Sequence, residues 1–136
     1  MRVTIKYAYP EKGTRNGRIY SPEVLEKAFN EAAFKECCAA NAVPLKDETG
    51  ELIGMGTAYL KDGRVVTIEA EVFSPPHIKA IKIAERSFGF TLAGYGNVVR
   101  KNGVDIVTDF TIDSALLCEH PAVDCSMELY QEEGET

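Results

Sequence analysis

The sequence lacks any apolar stretch approaching the ~20 residues that a membrane-spanning helix requires. Its first residues, Met1 to Tyr7, alternate polar and apolar side chains as a β-strand does, and they lack the continuous apolar segment of a secretory signal peptide. We therefore expect a protein that stays in the cytosol or is packaged inside a particle made there.

Motifs for the common cofactors are also missing. The sequence contains no GxxxxGK[ST] loop, no GxGxxG after the first strand, no HExxH and no CxxC. Cys37 and Cys38 are adjacent in a predicted helix, and a zinc site built from Cys118, His120 and Cys125 would have an unusual ligand spacing. We predict reduced, structural cysteines, no cofactor and no bound metal.

The sequence has fewer positively charged than negatively charged residues. Lysine and arginine number 15 against 21 aspartates and glutamates, which gives a net charge of −6. An excess of negative charge disfavours binding to phosphate backbones and to anionic lipid. Nucleic acid and membranes are therefore not expected partners.

The 136 residues suffice for one domain with one core. We assign residues 1–130 to a single domain and the acidic residues 131–136 to a disordered tail. The two histidines fall in no motif: His77 lies in the first turn of a predicted helix, and His120 lies next to Pro121. We interpret both as exposed side chains without a catalytic role.

Residue patterns assign secondary structure to most of the chain. Helices are predicted from the Ser21-Pro22 cap to about Asn41, and from His77 to about Arg86, where Ser74-Pro75-Pro76 opens the second helix. Asp62-Gly63 and Asn102-Gly103 predict the tight turns of two hairpins. Strands are predicted over residues 2–9, 52–60, 64–73, 88–100 and 104–117, with a short extended segment at 42–45.

In strand 64–73 the even-numbered residues from 66 to 72 are expected to face the core, and the odd-numbered ones water. Together these elements predict an α+β fold, a small antiparallel β-barrel flanked by helices.

Several segments carry a family resemblance. In chain order they are NGRIYSPEVLEKA at 16–28, Val43-Pro44-Leu45, Ile53-Gly54 with its hairpin, GFTLAGYG at 89–96, and Thr111 to Ala122. This series resembles the prohead maturation proteases of tailed phages, which are relatives of herpesvirus assemblin. The resemblance spans nearly the whole chain, and it implies an assemblin-like barrel encoded beside phage capsid genes.

Those proteases use a serine nucleophile, a histidine base and a third, orienting group. The resemblance assigns the histidine position to Asp47, beside Lys46, and the serine position to Thr91, while Asp113 falls near the third member. A threonine hydroxyl attacks only when a base removes its proton, and aspartate is a weak base unless it is buried. We therefore expect no catalytic residue, and regard Lys46, Asp47, Thr91 and Asp113 as degenerate positions.

The function that follows is that of a non-catalytic phage head protein. It would act structurally in capsid assembly or line or decorate the shell, in the virion or in the host cytoplasm during head assembly. Its expected partner is the major capsid or scaffold protein of the same phage, and a homodimer is an open alternative.

Two other functions stay open. One is an active prohead serine-protease relative that uses Thr91 with Lys46 or Asp47. The other is an unrelated acidic β-barrel that binds a host protein as an adaptor or inhibitor.

Overall fold

The computed structural model of the protein describes residues 1–10, 13–14, 17–83, 88–119 and 125–130. These residues form a mixed α+β fold, and no helix among them has the length and apolar character needed to cross a membrane. The predicted tail at 131–136, His120 and the predicted end of the second helix at Arg86 lie outside the described residues. The elements in chain order are β1 (Arg2–Ala8), β2 (Arg18–Tyr20), α1 (Pro22–Phe29), α2 (Ala32–Ala39), β3 (Val43–Lys46), β4 (Leu52–Lys61), β5 (Val65–Val72), α3 (Pro75–Ile83), β6 (Phe88–Lys101), β7 (Val104–Glu119) and β8 (Cys125–Tyr130).

The strands form one sheet in the order β2-β7-β3-β4-β5-β1-β8, and β6 pairs with the remaining edge of β7. Strands β2 and β3 run parallel to β7, so the prediction of an antiparallel sheet is wrong for these two pairings. The other pairings are antiparallel, as predicted. No ladder among the described residues closes the sheet into a barrel.

The sheet nevertheless curls enough to bring distant strands together. The buried Tyr7 hydroxyl on β1 accepts a hydrogen bond from the Leu92 backbone N–H on β6, at 2.9 Å. The Tyr9 ring contacts Tyr20, which in turn contacts Phe110 on β7, with centroid separations of 4.7 and 5.4 Å. The first contact joins β1 to β6, and the Tyr9–Tyr20 contact joins the end of β1 to β2, although no described backbone ladder joins either pair.

The core lies on the concave face of this sheet. As predicted, the even-numbered residues of β5 from Val66 to Val72 are buried there. Thr67 is a departure, because this outward-facing residue is only 6% exposed. It lies opposite Tyr59 on one neighbouring strand and Lys6 on the other, and these long side chains can cover it.

The predicted long helix is broken into two. The Ser21 cap is confirmed, because its Oγ accepts a hydrogen bond from the Val24 N–H at 3.2 Å. Helix α1 then ends at Phe29, and the Asn30 cap donates to the Glu26 carbonyl through both its backbone N–H, at 3.0 Å, and its side-chain amide, at 2.8 Å. After the break, Phe34 turns into the core and its ring meets Phe29 edge-on.

Both predicted hairpin turns are confirmed. Asp62 and Gly63 have φ values of 55° and 70°, and Asn102 and Gly103 have values of 53° and 78°. Positive φ at both central residues is the signature of the turn that suits twisted strands. The first turn joins β4 to β5, and the second joins β6 to β7.

This topology brings two connections to one end of the sheet. The loop of residues 47–51 joins β3 to β4, and β5 lies on the other side of β4. Strand β5 leads directly into α3, and the Phe73 N–H beyond its end still donates to the Ile53 carbonyl near the start of β4, at 2.9 Å. The 47–51 loop and the start of α3 are therefore neighbours.

Candidate functional site

Asp47 organises the loop that it begins. Its Oδ1 accepts three hydrogen bonds, from the Thr49 N–H at 2.9 Å, the Thr49 hydroxyl at 2.6 Å and the Glu51 N–H at 3.0 Å. The Asp47 N–H donates to the Glu51 carbonyl, and Gly50 closes the turn at a φ of 88°. Aspartate often shapes a turn in this way, because its side chain stands in for a backbone acceptor.

Ser74 and His77 face each other across the first turn of α3. The Ser74 carbonyl accepts from the Ile78 N–H at 2.9 Å, and the Ser74 Oγ lies 2.6 Å from His77 Nδ1. Pro75 and Pro76 have the fixed φ that suits a helix start. The sequence Ser-Pro-Pro-His thus starts the helix with the imidazole reaching back to the serine hydroxyl.

His77 also joins α3 to the loop. Its Nε2 lies 3.0 Å from the second carboxylate oxygen of Asp47, Oδ2. The side chains are 21% exposed for His77 and 15% for Asp47. Ser74, His77 and Asp47 therefore form one hydrogen-bonded chain, and the prediction of His77 as an exposed, isolated side chain is wrong.

The hydrogen bonds around Asp47 change its acidity. They lower the pKa of Asp47 from 3.8 to about 2, with the Thr49 hydroxyl as the largest cause. Partial burial raises the pKa and opposes this, while the backbone N–H groups of Glu51 and Thr49 and the His77 ring lower it further. Asp47 is consequently ionised near neutral pH and is a very weak base.

Serine, histidine and aspartate in one chain are also the residues of a hydrolase triad. Such a site needs N–H donors for the oxyanion, and the residue after the nucleophile commonly supplies one of them. Here the two residues after Ser74 are Pro75 and Pro76, which have no N–H. The geometry therefore fits a structural link between α3 and the loop better than acyl transfer.

Glu51, together with Asp47 and His77, forms a group of potential metal ligands. One ligand atom from each of Asp47, Glu51 and His77 lies within 4.8 Å of the other two. Carboxylate oxygens and an imidazole nitrogen are ligands that zinc and other divalent transition metals use in proteins. Among the described residues, these three are the group that could hold a cation.

The positions predicted from the protease resemblance lie on the sheet rather than in this cluster, apart from Asp47. Thr91 on β6 pairs with Leu116 on β7, and Leu116 pairs with Lys46 on β3. Thr91 and Lys46 thus share one face of the sheet, two strand spacings or roughly 10 Å apart. No hydrogen bond among the described residues links Thr91 to Lys46 or to Asp47.

The Thr91 hydroxyl lies beside the Cys118 thiol, whose Sγ donates to the Leu116 carbonyl at 3.7 Å. Burial raises the pKa of Cys118, the hydrogen bond from Thr91 lowers it, and the charge of Glu48 raises it. Cys37, Cys38 and Cys118 are free, and each is half-buried. A protonated thiol beside Thr91 cannot serve as the base that a threonine nucleophile needs.

Asp113 occupies an irregular point in β7. The ladder with β6 shifts register between Ala93, which pairs with Ser114, and Gly94, which pairs with Ile112. Asp113 is the extra residue of this bulge, it is exposed, and its Oδ1 accepts a hydrogen bond from the Ser114 hydroxyl at 2.8 Å.

Sequence reasoning missed Ser74, Glu51 and the role of His77. Two local signals were present: Ser and His three residues apart at a helix start, and Asp-x-Thr in a polar turn. Their convergence depends on the order of β3, β4 and β5 in the sheet, which neither signal contains.

Comparison with family models, with curated proteins and with solved structures finds no match to this chain. The resemblance to prohead proteases therefore depends on the sequence motifs quoted above.

Proposed function

We propose that this chain is a non-catalytic phage head protein with a prohead-protease-like fold, and that it acts structurally in capsid assembly or lines or decorates the shell. The main support is the state of Asp47, at the position that the resemblance assigns to the catalytic histidine. With a pKa of about 2 and both carboxylate oxygens engaged, Asp47 is a poor proton acceptor. Loss of general-base assistance removes about 10²- to 10⁴-fold of rate.

The strand curvature supports the fold part of the proposal. The hydrogen bond between Tyr7 on β1 and Leu92 on β6 crosses between strands that are distant in the sheet order. Such side-chain contacts are expected when a sheet curls toward a small barrel. An assemblin-like barrel with flanking helices is the arrangement that we propose.

A long hairpin supplies a binding surface for this role. Beyond Ala93 the residues of β6 are exposed, and Tyr95, Val98 and Val99 are 67%, 48% and 54% exposed. Among the described strands, β6 pairs only with β7, so beyond Ala93 its other edge presents backbone donors and acceptors that no described strand occupies. A free edge with apolar side chains suits the addition of a strand from another chain.

The partner that we propose is the major capsid or scaffold protein of the same phage, bound in the virion or in the host cytoplasm during head assembly. A second copy of this chain could use the same edge, which would give a homodimer. Sedimentation of the protein alone and with proheads distinguishes the two assemblies.

The test of the non-catalytic proposal is incubation of the purified protein with its cognate prohead or scaffold protein, followed by mass spectrometry of the products. We expect no specific cleavage. Cleavage that disappears in Thr91→Val, which retains the shape of the side chain but not the hydroxyl, would establish the protease alternative instead.

The adaptor alternative is tested by salt. An acidic protein that binds a basic host partner should lose the complex at ~0.5 M salt, whereas a complex made through the apolar edge of β6 should persist.

A further inference from the structure

We propose that Asp47, Glu51 and His77 form a binding site for a divalent transition-metal ion such as Zn²⁺. Such a site would bind its ion whether or not the chain has the proposed role in the phage head. It also revises the expectation from sequence that the protein has no metal site.

The distances suit shared coordination. Ligand atoms of Asp47 and His77 are 3.0 Å apart, and all three candidate atoms lie within 4.8 Å of one another. Two ligands at ~2.0 to 2.2 Å from one zinc ion are themselves roughly 3.3 to 3.6 Å apart in a tetrahedral site, so the Asp47 and His77 atoms need to separate by only a few tenths of an ångström. Glu51 is exposed, and no hydrogen bond or ion pair among the described residues holds its carboxylate, so a side-chain rotation can bring it to the ion.

Two of the ligands are already held in place. The Asp47 carboxylate is fixed through Oδ1 by the Thr49 backbone N–H and hydroxyl and by the Glu51 backbone N–H, which leaves Oδ2 directed toward His77. The His77 ring is fixed through Nδ1 by Ser74. Histidines that bind metals nearly always use the second ring nitrogen in this way, and such partners orient the ligand.

The donor set also selects the class of ion. Two carboxylates and a neutral imidazole carry a charge that balances a divalent cation. An imidazole nitrogen favours zinc and its neighbours over magnesium and calcium, which prefer oxygen. Because the cluster is partly open to solvent, water would occupy the remaining coordination positions.

Binding has a defined proton balance. The Nε2 lone pair forms the bond to the metal, so any proton on Nε2 leaves for solvent or is replaced by one on Nδ1. An N–H at Nδ1 then donates to the Ser74 oxygen, which lies 2.6 Å away. The contact between His77 and Asp47 changes from a hydrogen bond to a pair of adjacent ligands on one ion.

The test is calorimetric titration of the EDTA-treated protein with ZnCl₂, together with Co²⁺ absorption spectra that report the ligands. We expect one ion per chain and a higher melting temperature when zinc is present. Glu51→Gln should weaken binding by at least about tenfold, and His77→Gln should weaken it further, while Ser74→Ala should weaken it by about 10- to 100-fold through ring orientation.

Glu48→Gln is the matched control, because Glu48 is an exposed glutamate of the same loop and lies outside the three-residue cluster. It should bind zinc as the unmodified chain does. Circular dichroism establishes that each variant is folded, and Glu51→Gln changes only an exposed side chain. Absence of binding, or binding that is equal in Glu51→Gln and Glu48→Gln, would overturn the proposal, and thiolate-to-cobalt absorption would place the ion on the cysteines instead.

Discussion

His77 Nε2 lies 3.0 Å from Asp47 Oδ2, although the two residues are separated by 30 positions in the chain. The contact joins the turn between β3 and β4 to the first turn of α3. The turn leads into the start of β4, and α3 follows the end of the neighbouring strand β5. Each partner is held by a second group, Thr49 for the carboxylate and Ser74 for the ring. Because each side chain is held by a second hydrogen bond, the cluster fixes the conformation of the loop and the positions of the two side chains that a ligand would contact.

The lowered pKa of Asp47 predicts an acid dependence of stability. Because the pKa is about 2 in the folded protein against 3.8 ordinarily, ionised Asp47 favours the folded state above about pH 4, and this contribution is lost as the pH falls through 2. Asp47→Asn should therefore be less stable than the unmodified chain near neutral pH, and the difference should fade in acid. Urea unfolding in EDTA at a series of pH values measures it, and a pH-independent difference would contradict the prediction.

Much of the fold could be predicted from local sequence. The two hairpin turns need only Asp-Gly and Asn-Gly, the α1 cap needs only Ser21 with Pro22, and the buried face of β5 needs only a period of two. Each of these signals is contained within a few neighbouring residues.

The features that were missed depend on distant parts of the chain. β2 has three residues, which is too short for a periodic pattern, and its parallel pairing with β7 is set by the curl of the sheet. The break after Phe29 coincides with the Asn30 cap and with the packing of Phe34 against Phe29, which an amphipathic pattern does not reveal. The link between Asp47 and His77 likewise requires the strand order, since each residue alone has an ordinary local role.

Gly94 is required by a close approach between β6 and β7. A Cβ atom on this residue would overlap the carbonyl oxygen and carbon of Thr111, which belong to the backbone and cannot rotate away. Gly94→Ala should lower the free energy of unfolding by about 1 to 3 kcal/mol, as other overpacking substitutions do. Tyr95→Ala, at the neighbouring exposed position, should change it by no more than ~0.5 kcal/mol. Equal stabilities of the two variants in urea unfolding would contradict this prediction.

Cys118 should be slow to alkylate near neutral pH, because burial and the charge of Glu48 raise its pKa and the thiolate is the reactive form. Substitutions of Thr91 and Glu48 should change the alkylation rate of Cys118 in opposite directions. Thr91→Val removes a hydrogen bond that lowers the pKa, so the rate should fall, whereas Glu48→Gln removes a charge that raises the pKa, so the rate should rise. Mass spectrometry of iodoacetamide-treated protein, with peptides that contain Cys118 quantified over time, measures both, and rates that shift in the same direction would refute this account of the thiol.

The final prediction concerns partner binding at the unpaired edge of β6 beyond Ala93. If this edge carries the partner, a lysine in place of Val99 should block strand addition while leaving the fold intact, because Val99 is 54% exposed. Ile83→Lys is the matched control, since Ile83 is 76% exposed at the end of α3, in a different element. Co-sedimentation with proheads or scaffold protein should be lost for Val99→Lys and retained for Ile83→Lys, with both variants within ~0.5 kcal/mol of the unmodified chain in stability. Retention of binding by Val99→Lys would show that the partner uses another surface.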